Sequence, residues 1–263
     1  MKKRASQIYS YIRADINRAL ILLLVFALPF ERIPSVEVLG ASIRPSVLVG
    51  IAIILRTLYL IIRKKLRPGL NFQEKLLIAF LAWIFLLIPE GINIARAFSV
   101  FLFNSFTIIT AICVAFLFDK KYIRPTIYAL LSSAFLVSVF AIFQYFGNLL
   151  GLPNYITGFR DMYSWQVFGF PRVQSTALEP LYFASYLLLP FCMTFSILIF
   201  PKQKILNTKL ALSLMGLFSF IIFLTVSRGA LYAMAGVLVV GCAFALWKKL
   251  ATIKRFALIL ACI

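Results

Sequence analysis

Two arginines carry the sharpest chemical signal in this chain. Arg172 lies in Phe170-Pro171-Arg172-Val173-Gln174-Ser175-Thr176, with Glu179-Pro180 just after it. Arg228 lies in Leu224-Thr225-Val226-Ser227-Arg228-Gly229-Ala230, between two apolar runs with almost no loop. A guanidinium is always charged, and its planar fork of donors matches a phosphate bidentately. So short a turn holds Arg228 near the hydrocarbon edge, where an ionisable group is costly and tends to mark a site. Helices expected from Leu181 and Leu231 would each present free N–H groups and a positive dipole end beside these arginines. Pro180 suits a first-turn position, and Ser227 can cap the helix that Arg228 enters. Two helix starts and two arginines make an anion site. Plainer readings stand beside this one. Either arginine can snorkel to lipid headgroups, Glu179 can be a salt-bridge partner or cap, and Gly229, Ala233 and Gly236 follow helix-face spacing that suits helix packing.

The elements that must position these residues are membrane spans. The chain is 63 % hydrophobic and 13 % charged, against about 45–50 % and about 25 % in a soluble domain. Expected spans run near Ala19–Glu37 (short), Pro45–Ile62, Leu76–Pro89, Ala97–Phe118, Thr126–Leu150, Leu181–Phe200, Leu210–Val226 and Leu231–Trp247. A ninth begins at Phe256 and is cut off at Ile263, as expected of a C-terminally truncated fragment. The fold class expected is all-α: a polytopic helix bundle of eight complete spans and a broken ninth, forming one transmembrane domain over residues 1–263.

Orientation is written in the gaps. Twenty Lys and Arg residues fall in every second gap and six in the others, which are Arg32, Arg44, Arg96, Arg160, Arg172 and Arg228. Positive charge marks cytoplasmic loops, so the amino terminus is expected inside and the six arginines outside. Arg56 falls within a span, a turn or two from Arg63, and is expected to snorkel inward. The longest external segment is residues 151–180, rich in Tyr, Trp and Phe as a membrane interface is. The basic Met1–Arg4 start has no cleavage site after Phe30 and reads as an uncleaved first helix.

Several function classes are excluded. The net charge of +19 is spread between spans and forms no nucleic-acid stripe. There is no His, the commonest general base and metal ligand. Cys113, Cys192, Cys242 and Cys262 all lie in apolar runs without metal-like spacing. Neither a metal nor a cofactor is expected.

Thr225-Val226-Ser227-Arg228-Gly229-Ala230-Leu231 resembles the Ser-Arg-Gly signature of the O-antigen ligase / O-antigen polymerase superfamily. Upstream, Arg172-Val173-Gln174-Ser175-Thr176-Ala177-Leu178-Glu179-Pro180 and the following Phe183-Ala184 resemble that family's Arg-x-x-Ser…Glu-Pro…Phe-Ala stretch. The segment from Phe30 to Pro45, with Ile43-Arg44-Pro45 at its end, is also similar. The resemblance implies a GT-C-like, metal-independent glycosyltransferase in the bacterial inner membrane. Its partners would be undecaprenyl-pyrophosphate-linked glycan, lipid A-core or a growing glycan as acceptor, and membrane lipids. Arg228, Arg172 and Glu179 become the candidate catalytic residues, with Arg160, Ser227, Gly229 and Ser175 as candidate substrate-binding residues. The family's ligases place a His base in a large later external loop, which this stretch of chain lacks. Ligase and polymerase both stay open, and so does whether this stretch is active alone. A lipid-linked glycan flippase or other polytopic transporter is the alternative; it would show broken helices in two related halves, and no such halves are evident.

Overall fold

The computed structural model describes residues 16–34, 36–38, 41–66, 68–164, 171–200 and 205–247. The long elements are helices: α1 (Ile16–Ala27), α2 (Pro45–Ile62), α3 (Phe72–Leu87), α4 (Ile94–Leu117), α5 (Ile123–Leu149), α8 (Pro180–Ile199), α9 (Thr208–Leu224) and α10 (Arg228–Trp247). Two single-turn helices, α6 (Asn154–Thr157) and α7 (Asp161–Ser164), lie between α5 and α8. Asparagines cap the starts of two helices: Asn93 Oδ1 accepts the Arg96 N–H at 2.9 Å and Asn207 Oδ1 accepts the Lys209 N–H at 3.2 Å. Pro45 opens α2 at a position where its missing N–H costs nothing.

Six described helical stretches are long and apolar enough to cross a membrane: Pro45–Ile62, Phe72–Glu90, Ile94–Leu117, Lys120–Leu149, Pro180–Ile199 and Arg228–Ala245. The fold class is therefore helical and of multi-pass membrane type. Thr208–Leu224 is apolar but shorter, and the ninth expected span lies outside the described residues.

The first expected span, Ala19–Glu37, needs correction. Its described helix ends at Ala27, and Glu37 belongs instead to an antiparallel hairpin of β1 (Val36–Val38) and β2 (Ala41–Ile43). Pro29 and Pro34 explain the stop, because each lacks an N–H and turns the preceding residue away from helix.

Two compact units divide the chain: residues 1–24 with 46–123, and residues 25–45 with 124–263. In the first, Ile21 of α1 packs with Val49, Ile53 and Leu60 of α2 and with Cys113 and Leu117 of α4. Gly50 lets α2 and α4 approach, since a Cβ there would lie 2.8 Å from the Phe106 ring. Arg56 does not simply reach for the surface: its Nε donates to Asn17 on α1 at 3.0 Å and its guanidinium sits 5.7 Å from the Tyr59 ring centre.

The second unit is built on α5, α8 and α9. Ala134, Val137 and Ala141 of α5 share a core with Phe183, Leu187 and Phe191 of α8 and with Met215, Phe218 and Ile222 of α9. The small residues let helices close on one another where lipid gives no hydrophobic push between them. α10 packs on α8 at Gly241, where an added Cβ would overlap the Phe195 ring. Gly229 and Gly236 have open space around them among the described residues, so the packing glycine of α10 is Gly241 and not the pair expected from face spacing.

Candidate functional site

Residues 171–179 form a strap that joins the other parts of the second unit. Pro171 through Ala177 are buried apart from the half-buried Arg172. The strap turns at Ser175, whose φ of 53° is unusual for a residue with a side chain. Gln144, fully buried on α5, holds that turn: its Oε1 accepts the Ser175 N–H at 2.7 Å and its Nε2 donates to the Ser175 carbonyl at 3.2 Å. The Ser175 hydroxyl donates to the Val137 carbonyl at 2.7 Å. Ser175 is thus committed to structure, and its hydroxyl faces the α5 backbone.

The strap ties back to the chain after α1. Thr176 Oγ1 donates to the Pro29 carbonyl at 2.7 Å, the Arg32 N–H donates to the Thr176 carbonyl at 2.8 Å, and the Leu178 N–H donates to the Glu31 carboxylate at 3.2 Å. Its other end ties to the α9–α10 turn. The Val173 N–H donates to the Leu224 carbonyl at 3.1 Å, and Arg172 Nε donates to the Thr225 carbonyl at 3.4 Å. The two arginine-bearing segments, about fifty residues apart in sequence, are therefore hydrogen-bonded neighbours.

The α9–α10 turn is tight. Thr225 bonds back through both its N–H and its hydroxyl to the last turn of α9, and Val226 takes a φ of 50°. Ser227 then precedes α10, and its carbonyl accepts the Leu231 N–H at 3.0 Å. The expected cap is not made: the buried Ser227 hydroxyl has no hydrogen-bond partner among the described residues. Arg228 opens α10, exposed, with Gly229 exposed beside it. At the start of α8, Glu179 is the cap residue by position and Pro180 is the first helical residue, as expected, but the Glu179 carboxylate makes no bond to the helix.

Arg160 joins the strap through Nη1, which donates to the Leu178 carbonyl at 3.2 Å, next to Glu179. A further arginine stands here that sequence reasoning counted but did not single out. Arg32 Nη2 donates to the Gly158 carbonyl, a group that Gln174 Nε2 also reaches at 3.4 Å. Among the described residues Arg32 Nε is buried without a partner, and so is Gln174 Oε1. Burial pulls the Arg32 pKa below its ordinary value, and the nearby positive charge of Arg160 adds to that shift. Among the described residues Arg32, Arg160, Arg172 and Arg228 have no carboxylate in ion-pair range. The arrangement is a set of arginines around one strap with its negative partner unsupplied, which is what an anion site offers.

Gln144 and Gln174 were also missed. The signal for Gln144 was an amide within an apolar run, since a polar group at such depth needs a partner. Compared with family models, with curated proteins and with solved structures, the chain has no match.

Proposed function

We propose that this chain is an O-antigen ligase/polymerase-like glycosyltransferase with a GT-C-like bundle. It moves glycan from undecaprenyl pyrophosphate to lipid A-core or to a growing polysaccharide. The proposed setting is the external face of a bacterial inner membrane, with the amino terminus in the cytoplasm. One observation carries the proposal: Arg172 and the Ser227-Arg228 turn, the two segments that resemble the family's signatures, are bonded together through Thr225 and Leu224.

The chemistry follows from the charges. An acceptor hydroxyl attacks the anomeric carbon, the bond from that carbon to the diphosphate oxygen breaks, and the diphosphate leaves with the electron pair. Arg228 and Arg172 stabilise that growing negative charge, which is where preorganised donors contribute most. Ser227 and Gly229 flank the diphosphate at the start of α10, and Glu179, uncommitted to its helix, stands ready to accept the proton of the attacking hydroxyl. The test is transfer of labelled glycan from its undecaprenyl pyrophosphate carrier by membranes holding the full chain. Release of undecaprenyl pyrophosphate together with a labelled product supports the proposal. Movement of the intact carrier across the bilayer without bond breakage overturns it in favour of a flippase.

A further inference from the structure

An apolar groove of about 390 Å³ runs along α5, lined by Phe30, Ile33, Pro34, Leu136, Phe140 and Phe143 among others. Its lining is nearly all carbon, and Leu136 and Phe143 are exposed. Arg32 lies beside its wall at Gly158. A Cβ built on Gly158 would lie 3.1 Å from Ile33 Cδ1, 3.5 Å from Phe140 Cζ and 3.6 Å from Arg32 Nη2. The groove wall and the guanidinium therefore meet at one point, and Gly158 has the φ of 70° that makes the close approach possible.

Among the described residues no carboxylate lies in ion-pair range of Arg32 or Arg160. Arg32 feels Arg160 as a like charge, and its buried Nε has no partner among the described residues. Two acids nearby in sequence have other partners: Glu31 accepts the Leu178 N–H and Asp161 accepts from Asn154. Two cations held together by the fold, beside a hydrocarbon-lined groove in a membrane protein, complement a molecule with a phosphate head and an apolar chain. We infer that Arg32, Arg160 and the α5 groove bind an anionic glycerophospholipid, with its phosphate on the two guanidinium groups and one acyl chain along Phe140 and Phe143. The glycerophospholipid is the occupant because Leu136, Val139 and Phe143 of the groove are exposed on α5, a helix long and apolar enough to cross a membrane, where bilayer lipid is the surrounding solvent. Arg160 is also a candidate substrate-binding residue of the proposed transferase, whose leaving-group charge falls to Arg172 and Arg228, so lipid binding and glycan transfer are read out separately.

The test uses the full chain purified in detergent, stripped of lipid, and titrated with phosphatidylglycerol while bound lipid is counted by native mass spectrometry. Arg160→Gln and Arg32→Gln are each expected to weaken the tightest binding event at least about tenfold, as loss of charged hydrogen bonds implies. Val139→Trp, at an exposed position of the groove, should weaken it without touching either arginine, which covers the case in which Arg32→Gln does not fold. Arg228→Ala should leave it unchanged. Equal binding by wild type, Arg160→Gln and Val139→Trp would overturn the site. Stronger binding of undecaprenyl phosphate than of phosphatidylglycerol, lost in the same variants, would overturn the choice of occupant.

Discussion

Gln144 holds Ser175 by both backbone groups, accepting its N–H at 2.7 Å and donating to its carbonyl at 3.2 Å. All of these groups are buried. The pair fixes the left-handed turn from which the strap runs one way to Arg172 and the other way to Glu179. A single amide on a spanning helix therefore sets where the candidate anion-binding residues stand.

Gln144→Leu removes both bonds and leaves the Ser175 N–H and carbonyl buried without partners. Each orphaned group costs about 1–3 kcal/mol, so the variant should be destabilised by about 2 kcal/mol or more. Thermal unfolding of the detergent-solubilised protein reads this as a clear fall in Tm. An unchanged Tm would mean that the strap is held by its other bonds.

Gly158→Ala should destabilise by about 1–2 kcal/mol, because a residue with a side chain is disfavoured at positive φ. Here φ is 70° and the new Cβ would meet Ile33. Gly69, with open space around it and no positive φ, is the control. If Gly69→Ala and Gly158→Ala melt together, the crowding at Gly158 is not real.

At Gly241, an added methyl meets the Phe195 ring. Gly241→Ala should cost about 1–3 kcal/mol, as overpacking does. Phe195→Leu in the same chain should return part of that loss by making room. Additive losses in the double variant would show that α10 does not pack on α8 through this pair.

Much of the helical plan was written in the sequence, because a bilayer demands long apolar runs and punishes everything else. The failures have specific causes. The short expected span Ala19–Glu37 ends early because Pro29 and Pro34 stop the helix and leave room for a hairpin. Gly229, Ala233 and Gly236 share a face, but spacing cannot tell which face has a neighbour, and Phe195 meets Gly241 instead. Arg172 and Arg228 were visible as arginines in gaps poor in Lys. Their link through Thr225 and the meeting of Arg32 with Gly158 across 126 residues are tertiary facts that local pattern does not hold.

Orientation is tested by cysteine substitution on a background without natural cysteines. Lys64→Cys and Lys121→Cys should react only after the membrane is opened to the cytoplasmic side. Glu90→Cys and Tyr155→Cys should react from outside. The twenty-to-six division of basic residues between alternate gaps motivates this. External labelling at both Lys64→Cys and Lys121→Cys would invert the proposed arrangement.

The most direct measurement of the proposed activity is glycan transfer by membranes carrying Arg228 variants of the full chain at matched expression. Arg228→Ala should insert normally and lose transfer. Arg228→Lys should rescue poorly, because lysine keeps the charge and loses the bidentate fork. With each charged hydrogen bond worth about 1.5–3 kcal/mol, loss of two lowers the rate by roughly two to four powers of ten. Near-normal transfer by Arg228→Lys would mean that Arg228 only snorkels to headgroups, and near-normal transfer by Arg228→Ala would contradict its place in the site altogether.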